Sequence, residues 1–147
     1  EMLPVSDNVR KALNHDEENR ILTACGSSRS RSLLPAVTLA LNTGLRYSEI
    51  RLLRWEQVDL TRRLLIVGKS KTETGSGRGG PLNDRPAATL RFWASNFPLR
   101  RQDHFVFPTE RYGAEGRVYG TDPTRPIGSW KEGWETAMKK AGVLPVS

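Results

Sequence analysis

The residues best suited to chemistry in this chain fall in one run: Thr43, Gly44, Leu45, Arg46, Tyr47, Ser48, Glu49 and Ile50. An apolar stretch with Leu33, Leu34, Val37, Leu39, Ala40 and Leu41 leads into it as a helix. Gly44 suits the end of that helix, because a C-cap takes the left-handed backbone that glycine adopts without a Cβ penalty. A second helical pattern begins at once, with Leu45, Ile50, Leu52 and Leu53 apolar and Arg46, Glu49, Arg51 and Arg54 charged. Arg46 is therefore expected at a helix start, between two buried helices. A helix N-terminus favours anions, and a planar guanidinium offers two parallel donors to a phosphate. Glu49 lies three residues on, on the same face, and is expected to hold the guanidinium. Read as a surface ion pair only, the two would contribute about 0–1 kcal/mol.

The charge around this run points the same way. The chain has 147 residues, which suits one domain with a real core, and a net charge of +7. Residues 1–50 carry six basic and six acidic side chains, and so do residues 102–147. Residues 51–101 carry eleven basic and four acidic ones, so the middle third holds the whole excess. Charge concentrated in this way is the footprint of a polyanionic partner, most often nucleic acid, with Arg51, Arg54, Lys69 and Arg78 as candidate contacts. A basic surface kept for solubility is the plainer alternative. One cysteine, Cys25, and two histidines, His15 and His104, give no disulfide and no metal set, so no metal is expected. No apolar run approaches the roughly 20 residues of a membrane span and no signal segment opens the chain. The expected setting is a reducing cytoplasm.

The positioning elements follow from pattern. Residues 1–14 read as a lead-in, with Pro4 limiting helix. A helix is expected over 15–24, with Asp16, Glu17 and Glu18 in its first turn and Gly26 ending it. Further helices are expected over 30–43 and 46–54, then a turn carrying Trp55 into the core. Leu64, Leu65, Ile66 and Val67 read as a strand. The glycine-rich stretch after it reads as a mobile hairpin tip whose return strand ends near Pro81. Asn83 or Asp84 is expected to cap the next helix, and residues 105–108 form a short buried extended piece. Residues 109–126 read as loop because of Gly113, Gly116, Gly120, Pro123 and Pro126. The last helix is expected over 127–141, with a Trp130, Trp134, Met138, Ala141 stripe and Gly142 as cap. The fold class is mostly α with a small antiparallel β-hairpin sheet. Its divisions are a helical core over 15–54, a small sheet over 55–82, and helices and loop over 83–147.

The run from Thr43 to Ile50, followed by Leu52, Leu53, Arg54, Trp55, Glu56, Gln57, Val58, Asp59 and Leu60, resembles the first active-site box of the tyrosine recombinases, the phage-type integrases. The resemblance covers roughly residues 15–142 and implies the N-terminal two-thirds of a recombinase catalytic domain. It implies that Arg46 binds the scissile DNA phosphate. It also implies a lysine on the following hairpin that protonates the leaving 5′-oxygen, since expelling an alkoxide without a proton is slow. Lys71, between Ser70 and Thr72, fits that role, with Lys69 as the alternative. The stretch between Lys71 and Pro81 is longer and richer in glycine than the family's pattern. The family's tyrosine hydroxyl attacks phosphorus to form a phosphotyrosine link, so no cofactor is implied.

Other parts of that machinery have no match. The second arginine belongs to a His-x-x-Arg box, but Glu18 and Phe107 stand three places after His15 and His104. Tyr47, Tyr112 and Tyr119 do not match the family's nucleophile, which follows that box. The expectation is a catalytic-domain fragment, truncated at its C-terminus and inactive alone, from a parent that assembles as a tetramer on DNA; the fragment itself is expected to be a monomer. Two other readings use the same residues: a DNA-binding module without chemistry, and a helical interaction domain that meets an acidic partner.

Overall fold

A computed structural model of the chain describes residues 14–67, 78–113 and 118–143. Helix α1 spans His15–Gly26. Asn14 caps it: its side-chain oxygen accepts from the Glu17 amide at 2.8 Å, and the Glu17 carboxylate accepts from the Asn14 amide at 3.1 Å. This reciprocal pair satisfies two donors that the first turn leaves open, beside three carboxylates that suit the helix dipole. Helix α2, Leu33–Thr43, is the spine of the core. Leu33, Pro35, Ala36, Val37, Thr38, Leu39 and Ala40 are all buried in it. Pro35 falls in the first turn, where its missing N–H breaks no helical bond. Gly44 ends α2 at φ 75°, and its amide donates to the Ala40 carbonyl at 3.1 Å.

The expected 46–54 helix is shorter. Helix α3 is Tyr47–Arg51 alone, and Leu52 caps it. The reason is competition for backbone groups. The Leu53 carbonyl accepts from Val106, and the Trp55 and Glu56 amides donate to His104 and Gln102. Arg54 and Phe105 make an isolated antiparallel bridge. The chain after Leu52 is drawn into extended pairing with 102–106, and a 3-10 turn over Trp55–Gln57 follows.

A three-stranded antiparallel sheet comes next: β1 Val58–Asp59, β2 Leu64–Val67 and β3 Arg78–Pro81, with β2 central. Leu65 and Val67 face the core while Ile66 faces out, the period-two pattern of a strand buried on one side. Arg63, just before β2, is left-handed at φ 57°, and its carbonyl accepts from Leu82 at 2.7 Å. Its guanidinium meets the Asp84 carboxylate at 2.6 Å, so the base of the β2–β3 pair is clasped to helix α4, Asp84–Ala94.

Residues 109–126 are not loop. They hold a second antiparallel pair, β4 Pro108–Tyr112 and β5 Val118–Pro126. The register jumps between Pro108 and Thr109, where Asp122 and Pro126 are the successive partners. That irregularity carries Pro123 and keeps it off the regular ladder, so proline and glycine composition misleads here. The final helix, α5, is Lys131–Ala141 and ends at Gly142, φ 71°. Residues 127–130 are a linker rather than its first turn, and the Ser129 hydroxyl accepts from the Lys131 amide at 3.0 Å. Trp130, Trp134, Met138 and Ala141 are buried as the stripe implied, against a core that includes Ile21, Cys25, Leu33 and Phe107. Burial pushes the Cys25 thiol up to about 12, which suits a packed residue and not a nucleophile.

Candidate active site

Arg46 stands at the N-cap of α3, in extended backbone, with its side chain exposed. Local contacts shape the turn that leads to it. Gly44 turns the chain out of α2. The Thr43 hydroxyl donates to Leu39 O at 2.7 Å and accepts from the Leu45 amide at 3.2 Å, so one side chain spans the break. Leu45 and Ile50 are buried on either side of Arg46. The Arg46 amide donates to Glu49 Oε1 at 2.7 Å, and its carbonyl accepts from Ile50 at 3.0 Å. One contact between Glu49 and Arg46 thus runs to the backbone. The Arg46 side chain is exposed.

The other candidate contacts have definite places. Arg51 Nη1 donates to the Ile127 carbonyl at 2.9 Å. Arg54 Nη1 donates to the Asp103 carbonyl at 2.6 Å, and its guanidinium lies 4.2 Å from the Phe105 ring centroid. Both arginines are half-buried and engaged within the chain. The structure shows the backbone of Arg78 paired with Val67 on β3. Lys69 and Lys71, and the expected mobile tip between β2 and β3, lie outside the described residues.

Two tyrosines can be judged by their surroundings. The Tyr47 hydroxyl is buried, with no hydrogen-bond partner among the described residues, and its ring meets Trp130 edge-on at 6.0 Å. Tyr112 donates its hydroxyl to Glu110. Burial first, then the Glu110 hydrogen bond and charge, push its phenol up to about 12, partly offset by a Ser30 hydrogen bond and the Arg29 charge. The Tyr112 phenol is therefore not arranged for easy deprotonation.

A network that residue patterns did not flag lies behind α3. Glu110 accepts from the Ser30 hydroxyl at 2.8 Å and from the Ser32 amide at 3.2 Å. The fully buried Ser32 hydroxyl accepts from Trp130 Nε1 at 2.8 Å. Its members are scattered along the sequence, so no local spacing reveals it; Trp130 was legible only as a core aromatic. Among the described residues no cluster of three or more His, Cys, Asp or Glu could hold a metal ion. No helix there is long and apolar enough to cross a membrane.

The fold is a helical core with two small antiparallel sheets, and it exposes Arg46 at a glycine-broken helix start. The chain belongs to the phage integrase family, whose sequence profile matches residues 11–143. It is 26% identical over 142 residues to the integrase of Salmonella phage P22, covering 89% of this chain and 32% of that protein. It therefore spans about a third of that relative's length. Its fold is similar to that of the bacteriophage HP1 integrase catalytic domain, with TM-score 0.56, 20% identity and coverage of 90% and 59% of the two chains. It is also similar to the Tn1549 transposon integrase, solved in complex with circular intermediate DNA, with TM-score 0.62, 19% identity and coverage of 92% and 47%. XerA recombinase shares the fold at TM-score 0.59 and 18% identity, with coverage of 92% and 45%.

Proposed function

We propose that this chain is part of the catalytic domain of a DNA strand-exchange enzyme that works through a phosphotyrosine intermediate. The observation that carries the reading is the exposed Arg46 guanidinium on a backbone locked by Gly44, Thr43 and Glu49. In this reading the guanidinium binds two oxygens of a backbone phosphate and stabilises the charge that grows there as a nucleophile adds. A tyrosine hydroxyl attacks phosphorus, the bond to the 5′-oxygen breaks, and Lys71, or Lys69, gives that oxygen its proton. Tyr47 and Tyr112 are poor candidates for the attack, so the nucleophile is assigned to sequence beyond these residues. Double-stranded DNA is the proposed partner, held by the basic excess of residues 51–101. The site of action is the cytoplasm, with a tetramer on DNA for the complete enzyme and a monomer for residues 1–147.

A nicked suicide duplex, on which covalent protein–DNA product accumulates, tests this. Residues 1–147 should bind duplex DNA weakly, with Kd of roughly 10⁻⁴–10⁻⁶ M at physiological salt, and form no adduct. The complete enzyme should form the adduct and lose it on Arg46→Ala. An adduct from residues 1–147 that disappears in Tyr47→Phe, Tyr112→Phe or Tyr119→Phe would refute the assignment of the nucleophile.

A further inference from the structure

We propose that Trp130, fixed by Ser32, is a positioning residue for Arg46, and that linker 127–130 is the cradle in which the Arg46 helix sits. The proposal rests on the reading of Arg46 as a phosphate-binding residue. Helix α3 has five residues, too few to be stable through its own hydrogen bonds, so tertiary contacts must set its pose. Contacts at both of its ends reach the linker. At its start, Tyr47 follows Arg46 directly and packs edge-on against Trp130, with rings 6.0 Å apart and 88° between their planes. The Tyr47 hydroxyl has no partner among the described residues, so ring packing rather than a hydrogen bond anchors this side chain. At its end, Arg51 Nη1 donates to the Ile127 carbonyl at 2.9 Å.

The linker is itself held. The Ile127 amide donates to the Phe107 carbonyl at 2.9 Å, and the Phe107 ring meets Trp130 at 5.4 Å and 82°. Trp130 is 2% exposed, and its Nε1–H donates to the Ser32 hydroxyl at 2.8 Å, which fixes the rotation of the indole. Ser32 precedes α2, and its amide is bound by Glu110 of β4. A shift of the indole therefore moves the residue beside Arg46, while α2, the Gly44 turn and the basic surface stay in place.

The test reads phosphate contacts rather than folded protein. For residues 1–147 binding a short duplex, the slope of log Kobs against log salt counts neutralised phosphates at about 0.9 each. A folded fraction that stays constant across the salt range shifts log Kobs without changing the slope. Arg46→Ala should lower that slope by about 0.9. Trp130→Phe, which keeps a ring and removes the N–H, should lower it toward the same value with no change in charge. Ser32→Ala should act in the same direction and decides the matter if Trp130→Phe does not fold. In the Arg46→Ala background neither should lower the slope further. A wild-type slope in both variants, with Arg46→Ala still reduced, would overturn the positioning role and leave the phosphate reading intact. A wild-type slope in Arg46→Ala would overturn both.

Discussion

Replacing Tyr47 by phenylalanine should stabilise the protein. The Tyr47 hydroxyl is buried, and none of the described residues hydrogen-bonds it. A buried hydroxyl without a partner costs roughly 1–3 kcal/mol, because it gives up water and receives nothing in return. Tyr47→Phe removes that cost and keeps the ring that meets Trp130 at 6.0 Å. The opposing term is the small void left by one oxygen. At ~24 cal/mol per Å³, a void of ~15 Å³ costs about 0.4 kcal/mol. The net expectation is a gain of about 0.6–2.6 kcal/mol. For a chain of 147 residues this raises the melting temperature by about 2–4 °C per kcal/mol. Urea unfolding should show a higher midpoint with an unchanged m-value. The DNA salt slope should not change, since the ring and Arg46 both remain. A loss of 1 kcal/mol or more would mean that the hydroxyl is bonded, and the view that ring packing alone seats Tyr47 would fail.

Gly133→Ala in α5 sets helix propensity against packing. Alanine gains about 1 kcal/mol in a helix interior, but its Cβ would stand 3.2 Å from both Leu33 Cδ2 and Ser28 Oγ. Leu33 is fully buried and cannot retreat, so an overpacking cost of about 1–3 kcal/mol wins and the thermal midpoint should fall; a rise would show that this contact yields. Tyr112 predicts an alkaline effect. Its folded phenol is raised from the ordinary 10.0 to about 12, so its contribution is whole below pH 10 and is lost as pH rises toward 12. Stability measured from pH 10 to 12 should fall more in wild type than in Tyr112→Phe, and parallel curves would refute the assigned shift.

What was legible in the sequence was local. Gly44 and Gly142 announced left-handed caps, and both have positive φ. Leu64, Leu65, Ile66 and Val67 announced a strand, and β2 has those bounds. Arg46 was placed at a helix start by two adjoining apolar periods, and it lies there. What was not legible was decided at a distance. The 46–54 pattern is helical by period, yet residues 102–106 claim the backbone groups that a longer α3 would need. The β4–β5 pair was hidden because its prolines and glycines, which argue for loop, fall at register shifts and edges. Glu49 shared a face with Arg46, but periodicity cannot say whether a carboxylate turns to a side chain or to an amide. The Ser32–Trp130 bond joins residues with no spacing in common, so only the folded chain brings them together.

The grip of linker 127–130 on α3 has a consequence for the order in which the protein is made. Arg46 leaves the ribosome long before Ile127 and Trp130, the residues that seat its helix. At about 5–20 residues per second the interval is roughly 4–17 s. During that time α1 and α2 can form from local contacts, while residues 45–51 have no fixed seat. The contacts of Tyr47 with Trp130 and of Arg51 with Ile127 therefore form only after the β4–β5 pair and the linker have been synthesised. A nascent chain thus exposes the basic middle third before the residues that seat the Arg46 helix exist.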